Sequence, residues 1–520
     1  MRKKKLKKIL LNIIFIMSML CLCFVFTVSS KKGLTKRNYL AFSLIITLLF
    51  SIFITKKREL LKINKELTLT EKIISLVISI IYVIELGNNF DINNCSKIIF
   101  DIITKLNFNI FISNYINYFC IYAIYYIISY LIITFGRYII NFIKSLNKKE
   151  NDYLKHTFLF FGILILIVYS NTNKFATMYD KMFSLDSGYV TGKMIKDIFW
   201  ALDIRHILFA PLISPLTVIF NAFTKIFPNS ANLYFILIAL FNLFLLIIIS
   251  IMIKRLSNNK WLPYIYMLSY PSILYAIVIE KYVFCIFFII LLLYEKYYTK
   301  TRNTEIEDAS LIASVGTMST SAVIGFIHGN GTLFNRIKKW VSLAIKFICI
   351  SALFGKLNMI ITIPNQLNTI FGKISNTPWQ NKFYGVSELF YSFFFIPNYI
   401  FSNNTILFEN SAKYLNYIGL LLFVLSITGF VIKNKVNYFK VSFYWFIFLL
   451  ALFLGANWYC YEAPLFNLYF SWAIIPLVLN NIEIIKSKKI KQIIYITLIS
   501  MMIIINIPEL INIYKYVINI

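Results

Sequence analysis

An all-α, polytopic bundle of about 11–13 membrane-spanning helices is the fold class the sequence predicts, and three observations predict it. The chain of 520 residues is 59% hydrophobic and only 14% charged, with a mean hydropathy of +0.73, a balance that excludes a soluble multidomain protein. Many windows reach the roughly 17–25 apolar residues with which a helix crosses about 30 Å of hydrocarbon while bonding its own backbone. Basic residues gather in short clusters between these windows, as topology signals do. The net charge of +30 therefore speaks for orientation in a membrane, helped by the Lys, Ile and Asn bias of an AT-rich genome, and against nucleic acid.

Each element follows from that pattern. The basic start Met1–Lys8 precedes an apolar run over 9–29 and imitates a signal peptide. With no small-residue cleavage site and more helices behind it, the run reads as a retained first helix with its N-terminus in the cytoplasm. Spans near 38–55, 72–88 and 116–136 complete a four-helix membrane region over 1–154. The core, 155–520, opens with a span over 155–171. Arg58 with its neighbours and the run Arg137–Lys155 read as cytoplasmic, so a first external loop covers 172–230. Lys31, Lys32, Lys36 and Arg37 run against this count.

Residues 206–227 are apolar but carry Pro211 and Pro215, which favours a helix lying at the interface over a straight span. A span over 233–253 returns to Lys254, Arg255 and Lys260. Spans over 261–279 and 282–298 then form a hairpin with Glu280 and Lys281 at its outer tip. Residues 309–326 are rich in Ser, Thr, Gly and Ala, the composition of close helix packing or of a re-entrant element. A span over 341–361 leads to a second external loop, 362–411, and spans near 413–432, 441–456, 465–481 and 491–510 follow. Lys433, Lys435, Lys440 and the run Lys486–Lys491 then fall inside, and Glu462 outside. Seven scattered cysteines form no CxxC pair, hence no disulfide framework or metal knuckle.

The segment from Phe175 to His206 holds Asp180, Asp186, Asp197 and Asp203 with Arg205 and His206, in a chain of only 22 acids and 3 histidines. Parity puts Asp186, Glu280 and Glu462 on one side of the membrane, each at or near a helix end. Ionisable groups near membrane depth usually face a protein interior or an aqueous cavity, which suggests one polar chamber at the outer interface. The plainer reading is three unrelated, solvated loop acids.

Three features together resemble the GT-C class of integral-membrane glycosyltransferases, particularly bacterial relatives of protein O-mannosyltransferases and lipid A aminoarabinose transferases. They are Asp186-Ser187-Gly188 early in a long first external loop, Arg205-His206-Ile207-Leu208-Phe209 opening an apolar interfacial helix, and Glu280 at a later outer tip. The resemblance covers roughly residues 155–300, and GANWYCYEAPLFNLYF more faintly resembles late-helix motifs of uncharacterised members. His206-Ile207 stands where the class usually has His-Pro, and the four N-terminal spans have no counterpart in the minimal architecture.

What the resemblance implies is transfer of a sugar from a polyprenyl-phosphate donor to an external glycan, lipid or protein acceptor at the cell membrane. Asp186 would take the acceptor's proton as general base, with Asp180 and Asp203 in reserve. Arg205, and after it Lys281, would stabilise the departing lipid phosphate. Glu280 would bind a divalent cation, orient the donor sugar or hold Arg205. Mg²⁺ or Mn²⁺ would suit such oxygen ligands, but some members work without metal, so the metal stays open. His206 would bond phosphate or sugar, its plainer role being a helix cap. Asp203 and Glu462 count among the substrate-binding groups. Trp379, with Gln380, Glu388 and Tyr391, supplies aromatic and amide groups of the kind that bind sugars.

No Walker A run, HExxH or GxSxG is present, which moves ATP-driven transport and zinc proteolysis down the ranking. The competing reading is a polytopic transporter or lipid-linked oligosaccharide flippase, which would place binding groups near the midplane and show repeated halves. A polysaccharide polymerase or ligase would rely on arginines in a large late loop, and 364–411 contains none.

Overall fold

The structure is a computed structural model that describes residues 74, 136–179, 181–194, 204–227, 232–300, 303–327, 332–353, 360, 378–408, 415–433, 435–455 and 460–520. The expected spans at 9–29, 38–55, 72–88 and 116–136 lie outside these residues, but for Ile74 and Gly136. The chain forms two compact units. One comprises Met1–Leu146, Met194–Pro228 and Val341–Pro364, the other Asn147–Lys193, Asn229–Trp340 and Asn365–Ile520.

The second unit is a helical bundle. Its main helices are α1 (Lys148–Asn171), α2 (Leu233–Ser257), α3 (Leu262–Leu268), α4 (Tyr270–Ile277), α5 (Tyr282–Tyr297), α6 (Thr304–Thr317), α7 (Trp379–Ser392), α8 (Tyr417–Lys433), α9 (Asn437–Leu450), α10 (Asn467–Asn480) and α11 (Lys488–Asn519). Among the described residues, five helices are long and apolar enough to cross a membrane: α1, α2, α9 extended to Gly455, the stretch Ala463–Ile484 that contains α10, and α11. Helix α1 starts where Asn147 accepts from the Glu150 amide and Glu150 reaches back to the Asn147 amide, a reciprocal capping box. Helices α5 and α10 are buried along nearly their whole length and α2 throughout Leu245–Ile253, as expected of central helices that are apolar all round.

Buried polar groups knit the bundle where apolar packing carries no direction. The Tyr153 hydroxyl donates to the Pro263 carbonyl (2.9 Å) and lies 3.1 Å from Ser250 Oγ, tying α1 to α2 and α3. Tyr169 donates to Ile277 O at 2.7 Å. Helix α8 packs on α10 so closely at Gly429 that a β-carbon there would overlap the Leu477 carbonyl oxygen.

The expected single span over 261–279 is two helices. Ser269 adopts an extended conformation (φ −66°, ψ 145°), and Pro271, two residues on, has no N–H with which to continue the hydrogen-bond ladder of α3. The opened backbone is closed by Asn506, 1% exposed in the middle of α11. Its amide donates to Leu268 O (3.1 Å) and Phe394 O (3.0 Å) and accepts from Ile396 N (2.9 Å). Each buried group left without a partner costs about 1–3 kcal/mol. Asn506→Leu is therefore expected to lower the thermal unfolding temperature in detergent well below that of the exposed Asn512→Leu control. Equal midpoints would remove Asn506 from this role.

The segment expected as the second external loop carries structure of its own. Helix α7 is followed by an antiparallel hairpin, β1 (Tyr399–Ser402) and β2 (Thr405–Phe408). Asn403 and Asn404 both have positive φ (48° and 61°), which is what a two-residue hairpin turn demands. The Ser- and Thr-rich stretch is also interrupted: α6 ends at Thr317, a 3₁₀ turn spans Ser319–Ser321, and a short helix runs Ala322–Ile327.

In the first unit, a 3₁₀ turn Ile204–His206 leads to an 18-residue helix, Phe209–Ile226. Pro211 is in its first turn, where a missing N–H breaks no helical bond.

Candidate active site at the hairpin tip

Helix α4 ends where Val278 turns extended (φ −80°, ψ 127°), and α5 begins after Lys281, already helical at φ −70°. Glu280 and Lys281 occupy the turn between them and are 1% and 3% exposed. The plainer reading of Glu280 as a solvated loop acid does not hold, since both charges are buried. The Lys281 backbone amide donates to Glu280 Oε2 at 3.1 Å, and its Nζ lies 3.7 Å from the same oxygen. That Nζ also forms an ion pair with Asp186 Oδ2. The Asp186 side chain is 31% exposed. One buried ammonium thus stands between an accessible carboxylate and a buried one.

The Asp186 loop is anchored from both sides. Lys181–Phe183 lies beside β2 in a parallel bridge, Met182 opposite Ile406, with Phe183 N donating to Ile406 O (2.7 Å) and Ile406 N to Lys181 O (2.8 Å). The fully buried Phe183 meets the Tyr399 ring edge-on at 5.2 Å. Phe183 and Ser184 then take left-handed conformations, φ 59° and 52°. For residues that are neither Gly nor Asn this is a strained turn, held by what surrounds it. After Asp186, Gly188 packs so tightly on the Thr177 carbonyl that a β-carbon would overlap it. Asp186 occupies the cap position of the short helix Ser187–Tyr189, yet its side chain makes no capping bond.

Burial is the largest influence on Glu280 and pushes its carboxyl up to about 7. The Lys281 ammonium pulls it down, the Asp186 carboxylate pushes it further up, and the backbone amides of Lys281 and Asp186 pull it down. Glu280 Oε1 has no hydrogen-bond partner among the described residues.

Asp186 and Glu280 do not fit a divalent cation as arranged. Lys281 Nζ already takes the place between the two carboxylates, and no group of three or more His, Cys, Asp or Glu able to hold a metal occurs among the described residues.

The late motif comes to the same hairpin. The 3₁₀ segment Cys460–Phe466 offers its Leu465 carbonyl to the Tyr275 hydroxyl at 2.5 Å, and Phe466 meets Tyr282 edge-on at 6.2 Å. The backbone carrying Glu462 therefore lies beside the turn that carries Glu280 and Lys281.

Arg205, exposed, and His206, 5% exposed, belong to the first unit. The cap position of the helix that follows is held by Leu208. Asp180, Asp197 and Asp203 lie outside the described residues. Trp379 opens α7 at 68% exposure with Lys382 Nζ 4.7 Å over its ring. It lines a shallow hollow of about 380 Å³ with Gln380, Phe383, Tyr384 and Leu454, none of them a residue of the hairpin-tip triad. Glu388 is buried and accepts from Asn416 Nδ2 at 2.9 Å, a packing role.

A better-formed cleft, about 480 Å³, opens at the other end of α5, where α2 ends and α11 begins. The Lys254-Arg255-Lys260 and Lys486–Lys491 clusters, which read separately as topology signals, both contribute to it. Comparison of the chain with protein-family models, with curated proteins and with solved structures finds no match in any of the three.

Proposed function

We propose that the protein is a membrane glycosyltransferase that moves a sugar from a polyprenyl-phosphate donor to an external acceptor, with Asp186 as general base. The observation that supports this reading is the triad itself, an accessible carboxylate and a buried carboxylate sharing the Lys281 ammonium. The acceptor hydroxyl attacks the anomeric carbon, its proton passes to Asp186, and the bond from that carbon to the phosphate oxygen breaks. The departing phosphate takes the electron pair as negative charge.

Lys281 is the cation best placed for that charge. At rest it neutralises Asp186; a phosphate arriving at the tip competes for the ammonium and so releases the carboxylate to accept a proton. Glu280, too buried to meet an acceptor, positions Lys281. Trp379 offers an aromatic face for an acceptor or donor sugar at a second location.

The flippase reading draws on a different observation, the interrupted helices at Ser269 and after Thr317, since transporters build binding sites on broken helices. The two readings separate in one experiment. The full-length protein in liposomes is given polyprenyl-phosphate carrying a labelled sugar, together with crude envelope acceptors. Transfer with release of sugar-free polyprenyl phosphate is expected; intact donor appearing in the opposite leaflet without cleavage would favour the flippase.

A further inference from the structure

The cleft at the far end of α5 is built from four chain segments: Glu150, the stretch 254–261, Tyr298 and the stretch 483–495. Lys254, Arg255 and Lys260 come from the end of α2 and the turn after it, Lys488 and Lys491 from the start of α11. Glu150, from the first turn of α1, and Glu483 are the two carboxylates on its walls, leaving a surplus of three positive charges.

The acids are already engaged. Glu150 receives Lys254 at 3.0 Å and the Arg255 guanidinium at 2.6 and 3.1 Å, and Arg255 also donates to the Tyr294 hydroxyl at 2.7 Å. Glu483 receives Lys491 at 3.0 Å and the Tyr495 hydroxyl at 2.8 Å. Lys260 and Lys488 are exposed and have no acid within ion-pair distance among the described residues.

Bringing like charges together costs free energy unless an anion offsets it. Three further features suit a phosphate group in particular. The guanidinium of Arg255, fixed by Glu150 and Tyr294, is a planar donor held in place before any ligand arrives. Lys488 is the first residue of the 32-residue α11, so the positive end of that helix adds to the field. Trp261, stacked on Tyr495 at 5.5 Å, forms an aromatic wall of the kind found at headgroup depth. The cleft is also the end of α2 and α11, two of the helices able to cross a membrane, where a lipid headgroup would lie.

We propose that this cleft binds a phosphate-bearing anion, the headgroup of an anionic phospholipid, held by Lys260 and Lys488 over the Arg255 base. The inference is independent of the glycosyltransferase reading, since Lys281 and Tyr298 are separated along α5 by roughly 25 Å of helical rise.

The test uses the full-length protein in neutral detergent, with phosphatidylglycerol, phosphatidylcholine or inorganic phosphate as probes and native mass spectrometry as readout. Phosphatidylglycerol is expected to be retained over phosphatidylcholine by about tenfold or more, and Lys260→Gln with Lys488→Gln to lose that preference. Neither lysine takes part in an ion pair among the described residues, so the double variant should fold. Lys440→Gln, an exposed lysine outside the cleft, should leave retention unchanged. Equal retention of the two lipids, or the same retention in the double variant and the wild type, would overturn the proposal. Displacement of phosphatidylglycerol by millimolar inorganic phosphate would support the same site with a soluble phosphate as its source; resistance to it would support the lipid.

Discussion

Asp186→Asn is expected to lower sugar release from a polyprenyl-phosphate donor by about 10²–10⁴-fold, the range that a positioned general base contributes. The substitution keeps the shape of the side chain and leaves an amide oxygen to accept from Lys281, while removing the group that takes the proton. The loop should survive, because its position depends on the bridge to Ile406, the buried Phe183 and the close approach of Gly188 rather than on the carboxylate. Initial rates of polyprenyl phosphate release, at donor concentrations that separate kcat from KM, provide the measurement. A loss confined to kcat fits a group acting in the transition state, and a loss confined to KM fits one that only binds. A rate within about twofold of wild type would remove Asp186 as base, since it is smaller than any contribution expected of one.

Glu280→Gln should behave differently. Glu280 does not reach solvent, so its effect on rate passes through Lys281. The variant keeps an acceptor for the Lys281 backbone amide and removes a titrating group whose carboxyl burial holds up to about 7. It is expected to change the pH profile of the reaction near neutrality more than its maximum. An unchanged profile would mean that Glu280 is only a packing residue.

The helices of the second unit were legible because burial in a bundle or a bilayer demands long apolar runs, and a run of residues is visible without coordinates. The expected spans at 155–171, 233–253 and 491–510 fall inside α1, α2 and α11. What a run cannot disclose is where the backbone opens inside it. Pro271 was a local signal for the break at Ser269, but its partner Asn506 lies more than 200 residues away. The hairpin at Asn403-Asn404 had a signal that is clear only in retrospect, two adjacent asparagines between short β-branched and aromatic stretches.

The candidate site divides in the same way. Counting charges along the chain yields only an expectation that the acids share one side of the membrane. Their burial could not be read in this way, since it depends on how the turn at 278–281 is covered by the loop at 181–188 and the segment at 460–466. The meeting of Asp186 with Lys281 is likewise a tertiary fact, made across 95 residues. The basic clusters after α2 and before α11 carry no sequence signal of their convergence on Glu150 and Glu483.

The largest effect on stability is expected from Lys281→Met. Removing one member of a buried ion pair costs about 3–5 kcal/mol, because the partner charge stays buried without compensation. Here the partner is Glu280, with one oxygen lacking a hydrogen bond among the described residues, and the Asp186 carboxylate stands nearby. The Lys281 variant should therefore melt far below wild type, and Glu280→Gln in the same chain should recover much of the loss without restoring activity. Failure of the second change to rescue would mean that Lys281 is held by packing rather than charge. Titration gives an independent check. The folded-state Glu280 carboxyl is raised from 4.5 to about 7, so the folded protein binds the extra proton between those values. Its stabilising contribution is complete below the unfolded value and is lost as pH rises through about 7. Wild-type heat stability should accordingly fall from mildly acidic to mildly alkaline pH, and Glu280→Gln should flatten that fall. Lys281→Met withdraws the cation that pulls the carboxyl down, so the fall should deepen and extend to higher pH. A Lys281→Met curve parallel to wild type would separate the two residues and, with them, the shared ammonium on which the proposed chemistry depends.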